Sequence, residues 1–188
     1  KVSFDTLYLA VDRVILVDPN EVIPATGTNN NILNPKRSGY NFIGLASGPN
    51  MRMSPGQIPR ENLTWFFSYI NNIDKNEPII YINHYPMDSS LNNWFEVMDA
   101  LRPYNVQLML CGHGHVNKKY NFEGVNAAMC SSNLRAKDEF GGYNIITITN
   151  DSIVFNERKP TGETLDSWLS YPANEPPQWE KESPRPNF

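Results

Sequence analysis

Histidine is scarce in this sequence of 188 residues, with three in all, and cysteine is scarcer still, with two. Two cysteines cannot make the disulfide framework of a small secreted scaffold. Cys111 and Cys130 both lie in apolar surroundings, where they read as small buried hydrophobes. A single disulfide is the alternative, so the redox compartment stays open. No apolar run approaches the ~20 residues that span a bilayer, and no transmembrane segment is expected. No Lys/Arg cluster is long enough for a nucleic-acid footprint, and the formal net charge of -4 argues against one. A signal-type n-region and h-region are missing too. The first residue is Lys1, not Met, which leads us to expect a start made by processing, by design or by cleavage. The composition is that of a soluble chain; its localisation is open, export included.

What is present suits a globular protein. Hydrophobic residues make up 40% and charged residues 19%, and the length allows a real core. Residues 41–46 (NFIGLA) read as a strand that stops at Ser47-Gly48-Pro49. From Arg60 to Ile73 the apolar positions Leu63, Phe66, Phe67 and Ile70 recur at helical spacing. Ile79 to Ile82 is a second strand. Leu91 to Tyr104 is a second amphipathic helix, closed by Pro103. Val106 to Cys111 is a third strand. This alternation predicts α/β layering. The pattern then changes to strands without helices, at Val125–Cys130, Tyr143–Thr149 and Ser152–Arg158. Asn150-Asp151 joins the last two as a tight hairpin. Phe4 to Asp18 is apolar enough for one or two strands, and Ala25 to Pro35 reads as a loop. The stretch from Lys159 holds six of the 15 prolines. It is expected to form neither packed strand nor helix, but a linker or an arm anchored by Trp168 and Trp179. The expected organisation is therefore one domain over 1–158, least determined over 1–40, and an arm over 159–188.

The three histidines fall in two motifs, Asn83-His84-Tyr85-Pro86 and Gly112-His113-Gly114-His115. Each follows directly on an apolar strand. In an extended segment residues i and i+2 point to one side, so His113 and His115 can face one site. The glycines let the backbone bend tightly there. Ligands of open α/β sheets collect at the carboxyl ends of the strands, and imidazole suits Zn, Fe and similar ions. His84 ends the preceding strand. Three histidines out of three at adjacent strand ends point to a metal site, where an isolated Gly-His loop would read equally well as idle. Trp65 and Phe66 read as core rather than as a substrate platform.

The order apolar strand–NHYP, helix, apolar strand–GHGH resembles the C-terminal half of the calcineurin-like metallophosphoesterases, over roughly Tyr40 to Arg158. The resemblance implies the C-terminal portion of a two-sheet α/β/β/α sandwich and hydrolysis of phosphate mono- or diesters. It implies two divalent or trivalent metal ions of Mn, Fe or Zn type, about 3.5–4 Å apart and clamping an in-line displacement. On this resemblance His84 and His113 share one ion and His115 binds the other. The family's upstream D-x-H, G-D and G-N-H motifs do not occur here. The ions are thus incompletely ligated, and no catalytic residue is assigned; the leaving-group histidine would lie upstream. Asp5, Asp12 and Asp18 lack the strand-end context to stand in.

Together with the non-Met start, this leads us to expect the C-terminal part of a longer polypeptide, inactive or nearly so by itself. Its partners would be a phosphoester substrate and the N-terminal half of the same parent. An apolar face or strand edge left bare would favour self-association. Asn50 and Arg52, in the loop after the first strand, and Arg135, after the strand that follows GHGH, are candidates for phosphate binding. An arginine can hold phosphate bidentately, although a solvated loop arginine reads equally well at both positions. Two rival readings remain. One is a non-catalytic half-fold used as a scaffold or binding module. The other is a metal-dependent hydrolase of another class with carboxylate ligands of its own.

Overall fold

The computed structural model describes residues 5–10, 13–18, 21–24, 36–37, 39–47, 55–132 and 141–185. Its elements run β1 (Asp5–Ala10), β2 (Arg13–Asp18), β3 (Glu21–Pro24), β4 (Lys36–Arg37), β5 (Tyr40–Leu45), α1 (Arg60–Ile70), β6 (Ile79–Asn83) and α2 (Trp94–Leu101). They continue with β7 (Val106–Cys111), β8 (Lys118–Phe122), β9 (Val125–Met129), β10 (Tyr143–Ile148), β11 (Ser152–Arg158) and β12 (Thr164–Pro172). They form two six-stranded sheets, ordered β12-β11-β10-β1-β2-β3 and β4-β5-β6-β7-β9-β8.

In the second sheet β5, β6, β7 and β9 are parallel. A parallel sheet is normally covered on both faces, and these strands are buried almost throughout. Their alternation divides the core in two. Ile43, Tyr81, Met109 and Met129 face α1 and α2, where they meet Leu63, Phe66, Val97 and Met98. Phe42, Ile80, Leu108 and Leu110 face the antiparallel sheet, where they meet Ile146, Ile153 and Phe155. β10 is therefore buried at every second residue, as a one-sided strand should be.

Both helices are shorter than their apolar spacing predicts. α2 begins at Trp94 because Leu91 is drawn into a bridge with Gly56. Asn93 secures that junction: its amide oxygen accepts from Ile58 N at 3.0 Å and its amide nitrogen donates to Ile58 O at 3.0 Å. The polar edge strand β8 went unpredicted, because K-K-Y-N-F carries no apolar run. It turns into β9 through Glu123 and Gly124, both at positive φ (52° and 92°), the backbone of a type I′ hairpin.

The stretch after Lys159 requires a correction. Thr164–Pro172 is a nine-residue strand paired antiparallel to β11. The prolines of this stretch stand at 160, 172, 176, 177, 184 and 186, so 161–171 is free of them. An edge strand needs only one ladder, and here that ladder is irregular around Asn156. Beyond it no regular element forms among the described residues, yet the chain stays on the domain. Trp168 donates to Asn144 Oδ1 at 2.7 Å. Trp179 packs on the helix-side core beneath the Arg102 guanidinium. Among the residues whose burial is described, the exposed large hydrophobic side chains are Val116 and Leu165. No described helix is long and apolar enough to cross a membrane.

Candidate functional site

Because β5, β6, β7 and β9 run parallel, their carboxyl ends meet at one rim, where ligands of α/β sheets collect. Ser47, His84, His113 and Ser131 follow these four ends in turn. His84 is bracketed by its neighbours. The Asn83 amide reaches over it to donate to Tyr85 O at 3.0 Å, and Tyr85 N donates to Ser47 Oγ at 3.3 Å. Across to β7, Gly112 N donates to His84 O at 2.9 Å. These bonds place the His84 and His113 rings 5.5 Å apart, nearly perpendicular at 79°. Tyr85 wedges against both, 5.1 Å from His84 and 4.2 Å from His113. Gly56 makes room for that wedge: a Cβ there would come within 2.4 Å of the Tyr85 ring and 2.7 Å of Ser47 O.

The GHGH segment carries strain. His113 and His115 have φ of 69° and 58°, a region that non-glycine residues occupy at a cost of about 1–3 kcal/mol each. Gly114 N bonds back to Gly112 O at 2.8 Å, which makes His113 the centre of a γ-turn of the rarer, positive-φ kind. Such conformations persist only where the surroundings enforce them, and they gather at functional sites.

The structure brings His84 and His113 together and leaves His115 exposed beside them. Among the described residues no group of three or more His, Cys, Asp or Glu is placed to hold a metal ion. The ligands found among the described residues do not make up a complete two-ion site, which needs ligands for both ions. Asn50, Arg52 and Arg135 lie outside the described residues. The cysteines add no ligand chemistry as they stand. Both are buried and unbridged, and they belong to opposite faces of the parallel sheet. Burial, with the Asp88 carboxylate nearby, pushes the Cys111 thiol up to about 12. Burial likewise raises Cys130. Sequence reasoning missed Tyr85 and Gly56 as parts of the site. Tyr85 sits inside the NHYP motif and could have been read there, whereas nothing local marks Gly56.

No family model matches the sequence, and no curated protein matches it. Among solved structures, the chain is similar to a dimetal phosphatase from Danio rerio. The TM-score is 0.51 at 14% identity, over 68% of this chain and 56% of that one. The likeness is one of fold: a mixed α/β chain of two sheets, similar to part of the fold of that phosphatase. The chain spans little more than half the length of that phosphatase. Weaker likenesses are to GAP50, the anchor in the inner membrane complex of Plasmodium (TM-score 0.46, 11% identity, 95% of this chain and 55% of that one). A Vps29 mutant from Entamoeba histolytica follows (TM-score 0.31, 9% identity, 70% of this chain and 98% of that one).

Proposed function

We propose that this chain carries the histidine-bearing part of a metal-dependent phosphoesterase site acting on phosphate mono- or diesters. The observation that supports it is the approach of His84 to His113, from two separate strand ends, at the ligand-collecting rim of a parallel sheet. In this reading His84 and His113 meet one ion of Mn, Fe or Zn type, and His115 turns toward a second. The remaining ligands, the bridging carboxylate above all, come from an N-terminal half of the same parent. Asn50, Arg52 and Arg135 are the proposed contacts to the phosphate.

The alternative reading is a non-catalytic half-fold used as scaffold or binding module. One comparison separates the two. Metal content and turnover of an activated phosphate ester with Mn²⁺ or Zn²⁺ are measured for this chain and for a longer polypeptide that supplies the missing motifs. The phosphoesterase reading expects near-zero turnover here, and metal-dependent turnover in the longer polypeptide that is lost on His113→Ala. A longer polypeptide that binds no metal and shows no turnover would leave the scaffold reading, and turnover that survives His113→Ala would overturn the site assigned to His113.

A further inference from the structure

The strained GHGH segment is fastened at its start by the bond from Gly112 N to His84 O. What fastens its end is a side chain two residues past His115. The Asn117 amide oxygen accepts from Ser131 N at 2.9 Å, at the exit of β9, and from Asn144 Nδ2 at 2.8 Å, on β10. Its amide nitrogen donates to Glu157 Oε2 at 2.8 Å, on β11. Three of the four hydrogen-bonding positions of this amide are therefore in use, and they join the segment to both sheets at once. The network continues inward. Fully buried Asn144 accepts from Trp168 Nε1 at 2.7 Å, and Lys159 Nζ holds the other Glu157 oxygen at 2.7 Å.

We propose that Asn117 is a positioning residue for the site: by tying the end of the GHGH segment to both sheets, it enforces the positive-φ turn that holds His113 against Tyr85 and His84. Only an amide of this length both accepts twice and donates once here. An aspartate would lose the donor and set a second carboxylate beside Glu157. A serine would not span the gap. Asn117 touches no reacting atom in this account and acts through the backbone of its neighbours. The proposal rests on reading His113 as a site residue, but its test needs no metal and no substrate.

With three histidines in the chain, selective histidine labelling gives a spectrum simple enough to assign with single His→Gln variants. The readout is the set of ring-to-ring nuclear Overhauser contacts in the metal-free chain. In Asn117→Asp, the contacts of His113 with Tyr85 and with His84 are expected to disappear, while that between His84 and Tyr85 remains. General loss of structure would remove all three together. Should Asn117→Asp not fold, Glu157→Ala decides. Glu157 is only partly buried, and its loss removes one of the three bonds, so the His113 contacts should weaken in the same order. Retention of the His113 contacts in a folded variant, with only thermal stability lowered, overturns the proposal. A failed phosphatase assay would leave this result standing, and the reverse holds as well.

Discussion

The ring of Tyr85 lies against that of His113, with centroids 4.2 Å apart and planes inclined by 34°. Tyr85 is buried, so it couples the rim to the helix-side core and leaves His113 little freedom. Truncation to Tyr85→Ala should cost about 3–5 kcal/mol, the usual range for a buried aromatic, and release His113. Tyr85→Phe keeps the ring and should keep the His113 contact. Urea unfolding and the histidine spectrum check both.

Gly56→Ala tests the same contact from behind. Its Cβ would overlap the Tyr85 ring and Ser47 O. Overpacking of this kind costs about 1–3 kcal/mol, and relief by tilting Tyr85 would displace His113. A variant of unchanged stability and unchanged histidine signals would show that the wedge is loose.

Trp168→Phe should cost about 1–3 kcal/mol. It keeps most of the ring but leaves the amide oxygen of fully buried Asn144 without its indole donor, and an unsatisfied buried acceptor carries a cost of that size. The shift of the urea midpoint at constant slope is the measurement.

The end of the described chain is pinned through Glu123, whose side chain is 4% exposed. Arg102 and Arg185 pair with it, and Ser183 N donates to it at 2.8 Å. Burial alone would raise this carboxyl. The hydrogen bonds from Arg185, Ser183 and Arg102 outweigh that and hold it below the ordinary range. A carboxyl depressed in the folded state adds stability above its unfolded value, about 4.3. That contribution is lost as the pH falls from there through the folded value. Tryptic cleavage at Lys181 should therefore be slow at neutral pH for the native chain and fast for Glu123→Gln. Trp179 emission should shift only on acidification below about pH 4.3. Equal cleavage rates would show that the ion pairs do not hold the arm.

Much of the fold was legible because the buried parallel strands are written as apolar runs. Val106–Cys111 and Ser152–Arg158 appear with the bounds their sequences suggest, and Ile79–Asn83 extends its run by one residue. The edge strands were not legible. β8 has no run to read. β12 was hidden by prolines that in fact stand only at and beyond its ends. An edge strand draws its stability from a neighbour's ladder, and a sequence window does not contain that neighbour.

The site divides in the same way. That the histidines stand at strand ends follows from local pattern alone, since each motif begins where an apolar run stops. Which of them meet is a matter of register between β6 and β7, and register belongs to the pairing of two strands rather than to either one. The structure therefore brings His84 to His113 and leaves His115 outside the pair. Asn117 shows this most plainly. Its three partners lie 14, 27 and 40 residues away, and nothing in its own segment distinguishes it from any other loop asparagine. Periodicity reports how a segment divides its side chains between core and solvent. Only the packed sheets decide which polar groups are brought within hydrogen-bonding distance of one another.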